Sequence, residues 1–115
     1  MSISKNLLAG STTTLILKLL EEKDMYGYQM IETLAEKSDD TFELKAGTLY
    51  PILHSLENNQ FVESYEQEAD SGRMRKYYHL TSKGKKLLQE KHQEWLSYSS
   101  VINKILNGGL NCATV

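Results

Sequence analysis

The sequence has few or none of the features that mark several classes of protein. Its single cysteine, Cys112, excludes an internal disulfide framework and a cysteine-ligated zinc site, and leaves a free thiol near the C-terminus. No apolar run approaches the roughly 18 residues of a membrane span. The start, MSISKNLLAG, has too short an apolar core for a secretory signal. We therefore expect a soluble, cytoplasmic protein without a membrane partner.

Residue patterns typical of enzymes are also missing. His54, His79 and His92 fall on three different predicted elements and have no metal-ligand spacing. No serine or cysteine stands in a recognisable nucleophile setting, and the glycines match neither a P-loop nor a dinucleotide fingerprint. We expect no catalytic site, no metal and no cofactor.

Acidic residues are absent from residues 71–86, SGRMRKYYHLTSKGKK. This stretch carries six basic side chains, although the formal net charge of the whole chain is -2. The rest of the chain has 7 basic and 15 acidic residues. Such asymmetry usually has an electrostatic use, so the pattern predicts a surface for a polyanion such as nucleic acid.

A neutralised hairpin is the alternative explanation of these charges. A four-residue loop would set Glu68 opposite Arg73 and Glu66 opposite Arg75, as cross-strand pairs. That explanation leaves Lys83, Lys85 and Lys86 without partners.

The chain length of 115 residues fits one compact domain with an added element. Hydrophobic spacing predicts four helices, at about 5–22, 27–37, 47–59 and 82–107. Two β-prone runs joined by ADSG predict a hairpin over 61–81, and Thr81 can cap the last helix. Pro51 is predicted in the first turn of the third helix, and 108–115 as a flexible tail.

The element order predicts a mainly α fold with a small β-hairpin, a winged helix-turn-helix over residues 1–81 followed by a long dimerisation helix. In this architecture the third helix enters the DNA major groove and the hairpin, or wing, flanks it. Basic side chains then give affinity through phosphates, and the exposed face of the third helix gives sequence preference. The predicted phosphate contacts are Arg73, Arg75, Lys76 and Lys83; the predicted groove-facing residues are Thr48, Tyr50, His54 and Ser55.

The last helix predicts a homodimer. At about 37 Å it is longer than a small core can cover. Leu88, Trp95 and Ile102 repeat every seven residues, with Ser99 and Leu106 at the next seam positions. We expect the same helix of a second copy to cover this seam, helped by Leu7 and Leu8 of the first helix. Two recognition helices would then lie about 34 Å apart and read an inverted-repeat operator.

Trp95 has two possible roles that remain open. It is either an ordinary interface anchor or one wall of a flat apolar slot between subunits that takes up a planar aromatic ligand. The slot would also include Leu8, Leu88 and His92.

Three segments together resemble the PadR family of bacterial transcriptional regulators, in its short form with a single C-terminal helix. They are YGYQMIETL, GTLYPILHSLENNQFVES and SGRMRKYYHLTSKGKKLL. The resemblance runs from about Leu15 to Leu88. It implies a homodimeric winged helix-turn-helix repressor that leaves its operator when a small, often aromatic, molecule binds.

The resemblance also implies roles for individual residues. Thr48, Tyr50 and His54 would face DNA, with Lys45 at the entry of the helix. Gly72 and Arg73 would approach the minor groove or the backbone, and Arg75 and Lys76 would lie along the returning strand. Ser55 stands where family members often carry arginine, and Met74 where many have proline.

Strand alternation separates the paired tyrosines, because Tyr78 is in phase with Leu80. We expect Tyr78 in the core and Tyr77 facing outward. Two functions from other classes remain open: a winged-helix protein-interaction module that binds no nucleic acid, and a small carrier of aromatic ligands.

Overall fold

A computed structural model describes residues 3–108 of the chain. The elements, in chain order, are α1 (Lys5–Ala9), α2 (Thr12–Glu22), β1 (Met25–Tyr26), α3 (Gly27–Lys37), α4 (Ala46–Asn58), β2 (Val62–Glu68), β3 (Met74–Leu80) and α5 (Ser82–Leu106). The predicted fold class is confirmed: the chain is mostly helical, with a small antiparallel sheet and a long last helix. Cys112 and nearly all of the predicted tail lie outside the described residues.

The predicted first helix is wrong in one respect, because it is two helices. α1 ends at Ala9 and α2 begins at Thr12. The hydroxyls of Ser11 and Thr12 both donate to the carbonyl of Leu8, at 3.2 Å each. Side chains that bond to the preceding turn in this way compete with the helical backbone and bend or end the helix.

The sheet has three strands rather than the two of the predicted hairpin. β1 adds to the free edge of β3, so the strand order is β1-β3-β2, and Met25 pairs with Tyr78. Two residues are too few to show alternation, so the sequence pattern did not reveal this strand. β1 leads directly into α3 and therefore joins the hairpin to the helices.

The hairpin register differs from the prediction by one residue. Glu68 lies opposite Met74 instead of Arg73, and Glu66 lies opposite Lys76 instead of Arg75. Both predicted cross-strand pairs are therefore wrong.

The turn at the hairpin tip explains the shift. The Ala69 amide donates to the Arg73 carbonyl, and the Gly72 amide donates to the Ala69 carbonyl, both at 2.8 Å. Gly72 adopts φ +84°, a left-handed conformation that costs glycine little. This is a three-residue loop with the extra left-handed residue of a bulge, and that residue moves the register.

The core lies between the helices and the inner face of the sheet. Its buried apolar residues come from every element except α1, and include Ile16, Leu17, Met25, Met30, Leu49, Leu53, Val62 and Leu80. Tyr78 is buried at 1% exposure, as predicted, and burial raises the pKa of its phenol. Tyr77 faces the other side of the sheet.

Pro51 lies in the second turn of α4, which begins at Ala46, and not in the first turn as predicted. At this position proline cannot donate to the carbonyl of Gly47. Gly47 is exposed, so water can satisfy that carbonyl.

The start of α5 is clamped against the end of α4. As predicted, Thr81 caps the helix: its hydroxyl oxygen accepts from the Gly84 amide at 3.0 Å and the hydroxyl donates to the Gln60 carbonyl at 2.8 Å. A side chain at Gly84 would collide with the Phe61 carbonyl. This close contact sets the direction in which α5 leaves the domain.

Leu88 differs from its predicted place in a dimer seam. It is 7% exposed and belongs to the core of its own chain. Beyond it α5 extends away from the core, and the described part of the chain is 66 Å long. No helix within residues 3–108 has the length and apolar character needed to cross a membrane.

Candidate nucleic-acid interface

α4 presents a polar face to solvent opposite its buried leucines. Leu49, Leu53 and Leu56 point into the core. The four residues predicted to face DNA are all exposed on the other side, namely Thr48, Tyr50, His54 and Ser55. Lys45 precedes the first turn as the N-cap residue and is also exposed. The exposed face of α4 therefore carries hydroxyl, phenol and imidazole groups, all of which can form hydrogen bonds.

Tyr50 is held in place by the start of α3. A Cβ atom at position 27 would collide with the Tyr50 hydroxyl. Because glycine has no Cβ, α3 and α4 can approach each other here. Tyr28 follows on α3 and is also exposed. Two tyrosines therefore stand on the solvent side of the α3–α4 pair.

Arg73 occupies the tip of the hairpin. Its carbonyl closes the turn, while its side chain is exposed and forms no ion pair within residues 3–108. Next to it, Gly72 has open space around it. A Cβ atom at this position would have one near side-chain atom, a Glu68 carboxylate oxygen at 3.8 Å. The guanidinium at this position is available to a phosphate.

Arg75 and Lys76 point to opposite faces of β3, as neighbours on a strand must. The Arg75 guanidinium lies 4.7 Å from the centre of the Tyr26 ring, on the outer face. Over the described residues its Nε is buried without a hydrogen-bond partner. Arg75 therefore has a cation–π role in holding β1 to β3.

Lys76 lies on the inner side, towards α4. Its ammonium group is 3.7 Å from Glu57 Oε1 and 5.5 Å from the centre of the Tyr78 ring. The other oxygen of Glu57 accepts a short hydrogen bond from the Ser64 hydroxyl. The contact of Glu57 with Lys76 was not predicted, because no local sequence pattern links the end of α4 to β3.

Three more lysines follow the strand. Lys83 donates to the Asn59 carbonyl at 3.0 Å and lies 5.0 Å from the centre of the Phe61 ring. Lys85 and Lys86 are exposed and form no ion pair in the part of the chain described. Only Lys76, of the six basic residues in 71–86, contacts a carboxylate there, so the neutralised-hairpin alternative does not describe this surface.

The outer face of the sheet carries a row of three tyrosines. Tyr77 stacks on Tyr65 with ring centres 5.7 Å apart and meets Tyr26 edge-on at 5.4 Å. Asp24 accepts from the Tyr65 hydroxyl at 2.7 Å and lies 2.8 Å from Nδ1 of His79. The row ties both hairpin strands to β1 and, through it, to α3.

The electrostatics of Asp24 follow from these contacts. Its burial raises the pKa of the carboxyl, but the hydrogen bonds from Tyr65 and His79 outweigh burial, and the net pKa lies below the ordinary value. The hydrogen bond to the carboxylate raises the pKa of Tyr65 to about 12. His79 therefore links β3 to the residue that precedes β1. Within residues 3–108 there is no group of three or more acids, histidines or cysteines that could hold a metal ion.

Residues 16–90, from α2 to the first part of α5, match the model of the transcriptional regulator PadR-like family. The chain belongs to the PadR-like family of transcriptional regulators. The resemblance inferred from the three sequence segments is confirmed. A PadR-like regulator acts by binding DNA.

Solved structures and a curated relative agree with the family. The chain is similar to a transcriptional regulator from Clostridium thermocellum, with 36% identity, a TM-score of 0.79, and coverage of 87% of this chain and 97% of the other. A PadR family transcription regulator from Clostridium difficile is 39% identical, with a TM-score of 0.70 and coverage of 84% and 98%. An uncharacterized protein of Lysinibacillus sphaericus is 32% identical over 92% of this chain and 97% of its own.

The distal half of α5 in this PadR-like chain is an exposed apolar surface. The residues concerned are Trp95, Leu96, Tyr98, Val101, Ile102, Ile105 and Leu106. Most continue the stripe that Gly84, Leu87 and Leu88 bury against the core, and Tyr98 and Val101 were not recognised from the heptad spacing. Ser99 is half-buried beside them. We call this surface the α5 stripe.

The four predicted ligand-pocket residues are not together in one PadR-like chain. Leu8 lines a groove between α1 and residues 40–45 that also includes Thr48, whereas Leu88 is in the core. Trp95 and His92 lie exposed on α5, and the Trp95 ring is 6.4 Å from that of Tyr98. Leu7 is exposed on α1, on a surface separate from the core.

Proposed function

We propose that this PadR-like chain is a dimeric repressor that binds an inverted-repeat DNA operator and leaves it when a planar aromatic ligand binds. The observation that carries the DNA-binding part is Arg73 at the hairpin tip, which is exposed and forms no ion pair within residues 3–108, together with the exposed polar face of α4. Repression needs no further surface, because a dimer that occupies promoter DNA blocks its use.

On this proposal α4 lies in the major groove. Tyr50, set by its contact with Gly27, and His54 reach base edges, while Thr48 and Ser55 contact bases or phosphates. Lys45 meets the backbone at the entry of the helix. Because Ser55 is uncharged, the preference rests on hydrogen bonds more than on arginine–guanine pairs.

Phosphate contacts come from the hairpin and the start of α5. Arg73 and Lys76 are the principal ones, with Gly72 allowing the tip to approach the backbone. Lys83 and its neighbours Lys85 and Lys86 extend the positive surface. Arg75, which the sequence placed among the phosphate contacts, is proposed here as a support of the sheet through Tyr26.

The α5 stripe supports the proposed homodimer. Large exposed apolar patches on small proteins are usually covered by a partner, and a symmetric pair of helices is the simplest cover. Trp95, Ser99, Ile102 and Leu106 form the proposed seam, and Leu7 and Leu8 of α1 contribute from the side. Leu88 supports the base of α5 from within its own core.

Selection from random duplexes tests the DNA-binding part. Purified protein should enrich sequences with two half-sites related by twofold symmetry, about one helical turn, 10 base pairs, apart. Enrichment of single half-sites would contradict the dimer. No enrichment above a bead control at low salt would contradict DNA recognition and favour a protein-interaction module.

Trp95 fluorescence tests the ligand part, because Trp95 is the only tryptophan in the chain. Planar aromatic compounds that stack on it should quench the emission and release the selected duplex at the same concentrations. The Trp95→Phe variant keeps an aromatic surface at this position. Gel shifts with this variant measure, for comparison, the release of the duplex by the same compounds. No quenching up to the solubility limit would remove the ligand from the proposal, while quenching without an effect on DNA would favour a carrier.

A further inference from the structure

Glu57 forms an ion pair with Lys76, a residue of the proposed DNA-binding surface. We infer that Glu57 is a positioning residue that holds Lys76 in an ion pair in the unbound protein and thereby limits the affinity for DNA phosphate. The inference rests on the proposed DNA-binding function and assigns Glu57 a regulatory effect on its strength.

The geometry joins the recognition helix to the hairpin. Glu57 lies in the last turn of α4, and Lys76 lies on the β3 face that looks towards α4. The Lys76 ammonium therefore sits between the two elements that are proposed to straddle the DNA backbone. Glu66 faces Lys76 across the hairpin without an ion pair, so Glu57 is its acidic contact within residues 3–108.

Glu57 is held so that one oxygen remains directed at Lys76. The Ser64 hydroxyl donates to Oε2, which leaves Oε1 to approach the ammonium group at 3.7 Å. The Glu57 side chain is 33% exposed, less than the 49% of Lys76. The carboxylate is thus the more constrained partner, and the ammonium is the group that can exchange it for a phosphate.

The pair is weak enough for such an exchange. Exposed ion pairs contribute little, so the dense row of backbone phosphates on a duplex can draw the ammonium group away from the single carboxylate. A lysine that is already neutralised contributes less to counterion release than an unpaired lysine. Because a phosphate contact is independent of sequence, Glu57 lowers the affinity for every duplex by the same factor.

Glu57→Gln tests the inference directly. The amide oxygen can still accept from Ser64, so the fold is retained, while the charge on Lys76 is no longer paired. We expect binding to tighten by about two- to fivefold per subunit, or about 4- to 25-fold for a dimer, on operator and random duplexes alike. The slope of log K against log salt should steepen by up to about 2 per dimer.

A double-mutant cycle with Lys76→Met separates this effect from overall charge. In the Lys76→Met background, Glu57→Gln should change the affinity less than twofold. Glu63→Gln is the matched control, because it removes the same charge from the outer face of β2 and should have little effect in either background.

Each outcome decides the inference. Two results would overturn the inference and leave the DNA-binding proposal intact. In the first, Glu57→Gln tightens binding equally with and without Lys76. In the second, Glu57→Gln gives no gain although Lys76→Met weakens DNA binding. If the wild-type chain binds no duplex at low salt, both fail. Should Glu57→Gln lose its circular dichroism signal, Glu57→Asp withdraws the carboxylate from Lys76 and must give a smaller gain of the same sign.

Discussion

Replacing both Arg73 and Lys76 with alanine is expected to weaken binding to every duplex by roughly 30- to 1,000-fold. Two phosphate contacts per subunit, four per dimer, at about 0.5 to 1 kcal/mol each give about 2 to 4 kcal/mol. Neither side chain lies in the core, so the thermal stability should change little. The loss should be the same for operator and random sequences, because phosphates carry no sequence information.

The salt dependence is the sharper measurement. Each lost phosphate contact removes about 0.9 from the slope of log K against log salt. Because Glu57 partly neutralises Lys76, the double variant should be flatter by about 2 to 4. Gel shifts or fluorescence anisotropy over a series of salt concentrations measure it. An unchanged slope would mean that the hairpin does not meet the DNA backbone.

Lys18→Ala with Lys37→Ala is the matched control. It also removes two exposed basic residues, here two lysines that each form an ion pair with a glutamate, but from α2 and the C-terminal end of α3. The net charge falls by the same amount in both double variants. If the control flattened the slope as much, the effect would come from overall charge and not from the basic hairpin.

Replacing Ile102 with glutamate is expected to dissociate the proposed homodimer. In a twofold seam the two introduced carboxylates would lie near one another in an apolar setting, which opposes association through both desolvation and repulsion. We expect the dissociation constant of the dimer to rise at least about 100-fold, a cost of at least about 2.7 kcal/mol. Sedimentation equilibrium should then report the 13.1 kDa chain as a monomer at concentrations where the wild type is a dimer.

The fold of this variant should survive, because Ile102 lies beyond the contacts between α5 and the core. Operator affinity should fall with dimerisation, since a single recognition helix and hairpin remain. Ser100→Glu is the control. Ser100 is exposed and lies two residues before Ile102, so the helix places its side chain on the side opposite the seam. A wild-type chain that sediments as a monomer, or an Ile102→Glu chain that remains a dimer, would contradict the seam.

Sequence pattern was sufficient where a signal was long or chemically specific. The 3.6-residue spacing of α3 and α5, the Thr81 cap and the phase of Tyr78 with Leu80 were all predicted and are present. The basic character of residues 71–86 was also a matter of composition alone. The PadR segments added the family, which the match over residues 16–90 confirmed.

The sequence pattern was insufficient to predict the structure where an element is very short or where a backbone conformation decides the register. Two residues of β1 carry no detectable alternation, and the left-handed Gly72 moved the hairpin register by one residue. Ser11 and Thr12 ended a helix that their neighbours favoured. In each case hydrogen bonds to the backbone outweighed the hydrophobic periodicity.

The amino-acid sequence by itself determined the element types, the family and the concentration of positive charge in one segment, because these depend on residues close together in the chain. The partner of each charge was decided only by the tertiary structure. Alternation on β3 sends Arg75 to Tyr26 and Lys76 to Glu57, while the turn leaves Arg73 exposed. Contacts between distant segments depend on how helices and strands pack, and packing sets which cations remain available to DNA.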